Sequence, residues 1–345
     1  MKKSIAALHS VSKKKSKSKI QAVTRTTKVI LAFVLIAGAG VALRPRIELL
    51  LASRARSAYF ERGKAYAPRV LEAIAPLPPE LREASGLAVS RTQPGVLWAH
   101  NDSGDAATLY AIDLKGRLLA KVAVANAVAR DWEDITYGTC PGDSAAGQQC
   151  LYIADTGNND RSRDVLTIFV VVEPMIGGAD RSHPRVVSAR SFRYRYPGPP
   201  EDAEAIAILP DGDVTIVTKG RTPTISFFGF SKADIAKALT SNEVLTATPQ
   251  GDSGIVPDQG LGRWVTAAAM SPDGMTLAVR TYSEIFFYAP ETSAQGRRWR
   301  DLKRPCFLGE VEPQGEAIDY LDDKTLVLGS ETSQGRQGML HRVQC

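Results

Sequence analysis

The pattern of hydrophobic and polar residues repeats five times between about residue 83 and the C-terminus. In each copy a short apolar strand begins at a small or acidic residue, a turn follows, and a second apolar strand ends in a polar cluster. Short alternating strands separated by turns such as Asp211-Gly212 and Asp273-Gly274 are typical of antiparallel sheets. A spacing of roughly 50 residues suits four strands and their turns, which is the size of one blade of a β-propeller.

The repeat predicts an all-β fold, a β-propeller of five blades. We expect residues 186–196 to be the outermost strand of the second blade and residues 243–248 that of the third. Six blades is the alternative if the loop 251–263 contains strands of its own. The composition agrees with a strand-rich globular body, since 44% of residues are hydrophobic and the chain has 28 Gly and 20 Pro.

The fifth copy ends one strand short, and the missing strand is expected from the other end of the repeat. Residues 69–77 precede Ser85 much as the apolar residues after Cys306 precede Glu316. Pairing the two ends would close the ring and remove an exposed sheet edge. Because each blade packs only on its neighbours, residues 69–345 are predicted to form one propeller domain.

The first fifth of the chain has a different character. Nine Lys or Arg residues and no acid precede Val29, and an uncharged apolar run then continues to Leu43. We expect residues 1–28 to be a basic cytoplasmic leader, residues 29–51 a signal-anchor or a cleaved signal peptide, and residues 52–68 a helical linker.

The length of the leader favours a retained transmembrane helix, whereas the shortness of the apolar run and the small residues Gly40 and Ala42 favour cleavage. Either alternative places the propeller on the periplasmic side of the cell inner membrane. The net charge of +6 comes partly from the leader. Together with the lack of interleaved aromatic and basic residues, this gives no indication of a nucleic-acid partner.

All four cysteines follow the apolar run, and an even number in an exported protein predicts disulfides. The expected path of the strands brings Cys140 near Cys150, and Cys306 near Cys345, at the same end of the propeller. We therefore predict these two bonds. A zinc site is the weaker alternative, because the chain has no Cys-x-x-Cys pair.

Aligning the copies places polar residues around the axis of the predicted ring. Acids crowded in this way need a partner, which could be Ca²⁺ or another hard cation, a lysine or arginine, or backbone N–H groups of a neighbouring blade. At the start of the inner strands the aligned residues are Ser85, Glu133, Glu204, Thr266 and Glu316. At the end of the second strands they are Asp102, Asp155, Lys219, Arg280 and Glu331.

Three short sequence motifs are the most distinctive in the chain. They start at Trp98 (Trp-Ala-His-Asn-Asp-Ser-Gly), at Asp131 (Asp-Trp-Glu-Asp-Ile) and at Tyr152 (Tyr-Ile-Ala-Asp-Thr-Gly-Asn-Asn). With the Glu-Ala-Ile sequences at Glu204 and Glu316, they resemble a family of exported bacterial β-propellers related to the phytase-like (esterase-like phytase) and SdiA-regulated proteins. The resemblance covers roughly residues 80–345.

The resemblance implies a calcium-binding funnel and hydrolysis of a phosphoester. Glu133, Asp155, Glu204 and Glu316 would then hold the metal, with Asp102 beside them, while Lys219 and Arg280 would bind a phosphate. The sequence departs from a phytase funnel at Ser85 and Thr266, which stand where acids are expected. His100, Trp132 and Glu331 are further candidates for contact with a ligand.

The functional expectation is a membrane-tethered extracytoplasmic propeller that binds a divalent cation and a small phosphorylated or ester ligand, with phytase-like hydrolysis as its enzymatic form. No Gly-x-Ser-x-Gly sequence accompanies His100, so a serine hydrolase is not indicated. The alternative is a non-catalytic envelope scaffold that binds another protein, in which the funnel acids are structural.

Overall fold

The structure, a computed structural model, describes residues 69–142, 147–176, 185–293, 296–309 and 312–345. The predicted leader, anchor and linker at residues 1–68 lie outside this part. Within the described residues, no helix is long and apolar enough to cross a membrane.

The strands of the described residues form five sheets, numbered here as blades 1 to 5. β1 (Glu72–Pro76) precedes blade 1, which contains β2 (Ala84–Val89), β3 (Val96–Asn101), β4 (Thr108–Asp113) and β5 (Leu118–Ala125). Blade 2 contains β6 (Trp132–Thr139), β7 (Gln149–Asp155), β8 (Leu166–Val172) and, after β9 (Arg185–Ser188), β10 (Arg190–Arg195).

Blade 3 contains β11 (Ala203–Ile208), β12 (Val214–Thr218) and β13 (Ser226–Phe230), followed by α1 (Lys232–Ser241), β14 (Val244–Thr246) and the outer strand β15 (Thr248–Asp252). Blade 4 contains β16 (Val265–Met270), β17 (Leu277–Thr281), β18 (Glu284–Ser293) and β19 (Gly296–Phe307). Blade 5 contains β20 (Gly315–Tyr320), β21 (Thr325–Ser330) and β22 (Met339–Gln344).

The innermost strands pack against one another in a closed ring, in the order β2, β6, β11, β16, β20 and back to β2. This arrangement confirms the five-blade propeller, and the alternative of six blades is wrong. Inner strands are buried on both faces, so β11 and β16 read as runs of Ala and β-branched residues rather than as alternating patterns. Small side chains allow the strands to approach closely around the axis.

The hydrophobic core of the described residues lies between blades. Each of five buried clusters joins two neighbouring blades. Between blades 1 and 2, for example, Trp98 packs in one cluster with Trp132 and Phe169. Stability therefore accumulates through nearest-neighbour interfaces, which is typical of repeat folds.

The N-terminal strand closes the ring, as predicted. β1 pairs antiparallel with β22 and completes a four-stranded blade 5 in the order β1-β22-β21-β20. Glu72 and Arg342 lie opposite each other, and both guanidinium bonds to the carboxylate measure 2.6 Å. The pairing covers an edge that β22 would otherwise expose.

Two predicted outer strands are each divided between two blades. β9 pairs in parallel with β5 of blade 1, and β10 then joins blade 2. In the same way β14 pairs in parallel with β10 of blade 2, and β15 joins blade 3. The changes of sheet occur at Ala189 and Ala247, which are buried and donate backbone hydrogen bonds to the preceding blade. The burial pattern shifts by one residue at the first of these changes: the odd-numbered residues are the less exposed ones from 185 to 189, and the even-numbered residues are from 192 to 196.

Helix α1 was not anticipated from the repeat. Ser231 caps its N-terminus by accepting a hydrogen bond from the Asp234 backbone N–H at 3.1 Å, and Asn242 ends it in a left-handed conformation. Ile235 and Ala238 bury its inner face against the core between blades 2 and 3.

Both predicted disulfides are confirmed. Cys140–Cys150 joins β7 to the segment that follows β6, and Cys306–Cys345 joins the outer strand of blade 4 to the C-terminus. The cysteines of the second bond are 39 positions apart in the sequence and those of the first only 10. A longer enclosed loop restricts the unfolded chain more strongly.

We expect removal of the Cys306–Cys345 bond by paired Ser substitutions to lower the free energy of unfolding by about 4 kcal/mol, and removal of Cys140–Cys150 by about 3 kcal/mol. Denaturant titration of the two double variants against the parent chain measures both losses. A larger loss for the Cys140–Cys150 pair would contradict this order.

Candidate functional site

A β-bulge occurs at the same position of all five inner strands. In each blade the register with the second strand shifts across one residue, so that this residue has no direct partner. Bulges redirect side chains and are frequent beside functional sites. The five bulged residues are those that the sequence aligned: Ser85, Glu133, Glu204, Thr266 and Glu316.

The register corrects the alignment of the second strands in blades 2 and 4. The residue just before each bulged residue defines the comparison: Ala84 pairs with Asn101, Trp132 with Asp155, and Val265 with Thr281. Asp155 is therefore equivalent to Asn101, one residue before the position of Asp102. The residues that share the position of Asp102 are Thr156, Lys219, Tyr282 and Glu331.

Five carboxylates gather at the junction of blades 1, 2 and 3. Two groups of three acids each have one carboxylate oxygen per residue within 4.8 Å of the others. The first group is Asp102, Asp131 and Glu133, and the second is Glu133, Asp202 and Glu204. We call these the first and second triads. Glu133 belongs to both, so the two triads form one continuous cluster.

Asp131 and Asp202 were missing from the predicted site. Each lies two residues before a bulged glutamate, so Asp-x-Glu occurs at the same place in blades 2 and 3. That shared spacing was a signal in the sequence. In the other blades the same position holds Glu83, Trp264 and Gln314.

Glu133 is the least compensated member of the cluster. It is 4% exposed, and among the described residues no group donates a hydrogen bond to its carboxylate. Burial, and then the negative charges of Glu204 and Asp102, raise its pKa well above the usual value. Burial and Asp131 likewise raise the pKa of Asp102 to about 6.

Lys219 is the cation of the cluster. Its ammonium forms a buried ion pair with Glu204, and its backbone N–H donates to the Asp202 carbonyl at 2.8 Å. Burial opposes the charge of Lys219, but Glu204 and Glu133 outweigh burial and raise its pKa. Burial raises the pKa of Glu204 to about 8 although Lys219 acts in the opposite direction.

A second cation lies at the edge of the cluster. Arg221 Nε donates to Asp202 Oδ2 at 3.0 Å, and the same side chain contacts Asn159. Its guanidinium carbon lies 4.3 Å from the ring centroid of Trp264, and Lys219 Nζ lies 6.0 Å from that centroid. Arg221 is partly exposed, with 26% of its side-chain surface accessible.

The blade 5 side of the axis holds another carboxylate pair. Gln314 Nε2 lies 2.8 Å from both Glu316 Oε1 and Glu331 Oε2, so one amide bridges the two acids. Burial and Glu316 raise the pKa of Glu331 to about 8. Burial is also the main reason that the pKa of Glu316 is raised.

Two residues that were predicted to bind metal or phosphate have partners of their own. Asp155 forms an ion pair with Arg163 at 3.0 Å and accepts a hydrogen bond from the Asp131 backbone. Arg280 is fully buried, donates to the carbonyls of Ala317 and Gly329, and pairs with Glu312. This geometry favours a structural role for both, with Arg280 joining blade 4 to blade 5.

His100 and Trp132 also lie in the protein interior. Both are buried and their rings meet edge to face at 5.6 Å. Burial lowers the pKa of His100 to about 4, so the imidazole is neutral near pH 7. Contact of either side chain with a ligand stays a prediction.

Two aspartates accept hydrogen bonds from backbone N–H groups of other blades, and neither is at a position that the sequence alignment placed around the axis. Asp134 Oδ2 accepts hydrogen bonds from Ile206 N at 3.0 Å and Ala268 N at 3.2 Å, which belong to blades 3 and 4. Asp319 of blade 5 accepts from Val89 N of blade 1 at 2.6 Å. Since these aspartates join the inner strands, the bulged glutamates are not needed for that purpose.

Gly157 lies directly against the first triad. A Cβ atom at this position would overlap Glu133 Oε1 and would lie 2.5 Å from Asp131 Oδ2. Gly157 does not have a positive φ angle. The absence of a side chain here therefore provides room for the two carboxylates.

No protein-family model and no curated protein matches the chain. Among solved structures, it is similar to the PQQ-bound aldose sugar dehydrogenase from Streptomyces coelicolor, with a TM-score of 0.45 and 10% identity over 81% of this chain and 98% of the other. It is also similar to a luciferin-regenerating enzyme, with a TM-score of 0.42 and 11% identity over 80% and 95%. At these values we transfer no activity or ligand from either protein.

The raised carboxyl pKa values predict how stability depends on pH when no metal is bound. The folded state retains protons that the unfolded state has released, so the free energy of unfolding should fall as pH rises from 6.5 to 8.5. His100 has the opposite effect, but only below about pH 6.5. Thermal melts in chelator across this range measure the slope. Glu331→Gln, which retains an acceptor for Gln314, should reduce the slope, and an unchanged slope would contradict the prediction.

Proposed function

We propose that this protein is an exported β-propeller that binds a divalent cation, Ca²⁺ by chemical preference, at the carboxylates around Glu133, and a small anionic ligand beside it. The observation that carries the proposal is the Glu133 carboxylate, which is buried, lacks a hydrogen-bond donor and is shared by two acid triads. An uncompensated buried carboxylate is costly, and a hard cation with oxygen ligands removes the cost.

The donor set fits such an ion. The five acids of the cluster offer only carboxylate oxygens. Such ligands bind Ca²⁺ in preference to softer metals. Gly157 leaves space at Glu133 and Asp131 that a larger residue would fill. When bound, the cation would polarise an oxygen of a phosphate or an ester, or would acidify a water molecule.

The mouth of the cluster supports an anionic ligand. Arg221 is partly exposed beside Asp202 and stacks on Trp264, which gives the rim a cation and an aromatic surface next to the acids. A ligand that carries a phosphate or carboxylate could contact both Arg221 and the bound cation. Hydrolysis of such a ligand, as in phytase-like enzymes, is the enzymatic form of the proposal.

Localisation outside the cytoplasm is part of the proposal. Two disulfides support an oxidising compartment. The basic leader and apolar run at residues 1–43 support tethering to the inner membrane from the periplasmic side. A non-catalytic scaffold that binds another envelope protein would share the fold and the location, but it would have no need for a cation at Glu133.

Turnover distinguishes the enzyme from the binding protein. Purified full-length chain is incubated with phytate, p-nitrophenyl phosphate or p-nitrophenyl acetate, with Ca²⁺ or with chelator. Calcium-dependent release of product that is lost in Glu133→Gln supports hydrolysis. Calcium binding without turnover supports the binding protein alone.

We expect Ca²⁺ to raise the melting temperature of the full-length chain by about 5 °C at a concentration of about 100 times its dissociation constant. Glu133→Gln removes the carboxylate that the two triads share and should abolish this shift. The variant should still fold without Ca²⁺, because it no longer buries a negative charge at this position. Differential scanning calorimetry with and without chelator measures the effect. A full shift in the variant would refute the proposed site.

Gly157→Ala should weaken Ca²⁺ binding without unfolding the propeller. The added methyl group displaces the ends of two flexible side chains, Glu133 and Asp131, rather than backbone. Gly198→Ala is the matched control, because a Cβ atom there meets no atom within 4 Å. Isothermal titration calorimetry compares the two. Equal affinities for the two variants would show that the Gly157 space is not required.

A further inference from the structure

The two acid triads differ in the positive charges that surround them. In the second triad Glu204 pairs with Lys219 and Asp202 pairs with Arg221. Asp202 Oδ1 also accepts a hydrogen bond from the Asn158 backbone N–H at 2.7 Å. Two of the three acids in this triad are therefore already neutralised by the protein.

The first triad has no such partners. Within the described residues, no lysine or arginine forms an ion pair with Asp102, Asp131 or Glu133. Asp102 accepts a hydrogen bond from its own neighbour, Ser103 N, at 2.5 Å. Arg163 and Lys219 act on Asp131 through space. Arg163 is committed to Asp155 and to the Gly157 carbonyl, and Lys219 is paired with Glu204.

The charges do not balance without an added cation. When ionised, the five acids of the cluster exceed Lys219 and Arg221 by three negative charges. One divalent ion reduces this excess to a single charge. Two would reverse it while placing the second ion against the Lys219 ammonium, which already pairs with Glu204.

We propose that the funnel binds one divalent cation, in the first triad, and that Lys219 fills the second triad as a built-in counter-ion, so that removing its ammonium group opens a second cation site. The inference rests on the proposed cation binding and adds its stoichiometry and its position. Lys219 would exclude a second ion because its ammonium group already pairs with the Glu204 carboxylate.

The test is the number of Ca²⁺ ions bound per full-length chain, measured by calorimetric titration and by metal analysis after gel filtration. We expect one ion for the parent chain and two for Lys219→Met. Lys219→Arg keeps the charge and should bind one. Lys219→Met combined with Glu204→Gln removes both members of the ion pair, so it leaves too few acids for the second ion and should also bind one.

The outcomes separate this inference from the proposed function. No binding by the parent chain would refute both. One ion in the parent chain and one in folded Lys219→Met would refute only the role of Lys219. Two ions in the parent chain would refute the proposed stoichiometry and the role of Lys219, but not cation binding itself.

A second comparison remains informative if Lys219→Met does not fold. Asp131→Asn should weaken binding by about tenfold or more, because it removes a charge from the first triad. Asp202→Asn lies in the second triad and should change the affinity by less than about threefold. A larger loss for Asp202→Asn than for Asp131→Asn would place the ion in the second triad and overturn the proposal.

Discussion

The convergence of five strands on one axis is the constraint on which the rest of this structure depends. Strands that meet so closely must be buried on both faces, which selects the short Ala-rich sequences of β11 and β16. It also gathers the polar ends of strands that are distant in sequence. Three kinds of contact hold the ring together. They are hydrophobic clusters between neighbouring blades, aspartates that accept hydrogen bonds from backbone N–H groups of other blades, and the pairing of β1 with β22.

The bulge at the start of each inner strand converts this convergence into a candidate site. It leaves one residue per blade without a direct partner in the ladder, and in three blades that residue is glutamate. Burying these acids raises their pKa, since water is excluded and like charges are close. Lys219 compensates Glu204 but leaves Glu133 without a hydrogen bond. The imbalance between the two glutamates is the feature that an added cation would resolve.

Much of the fold could be predicted because each blade repeats the same local pattern. The five copies, the closing strand, the equivalent positions at the start of the inner strands and both disulfides follow from the repeat and the strand order, since strand direction decides which loop ends meet. The exchange of β9 and β14 between blades could not be predicted. Each predicted outer strand was a single short run of sequence, and only the packing of adjacent blades determines which sheet each half joins.

The sequence by itself determined which residue types stand near the axis, because a repeat fixes the order and spacing of the strands. The tertiary structure decided what each side chain does there. The register places Asp155 one residue and Arg280 two residues before the position of Asp102, where Asp155 pairs with Arg163 and Arg280 with Glu312 and two carbonyls. Asp131 and Asp202 join the acid cluster instead. Ion pairs and hydrogen bonds depend on distances of a few tenths of a nanometre between blades. Spacing along the chain does not specify these distances, because they depend on how the strands and loops pack in three dimensions.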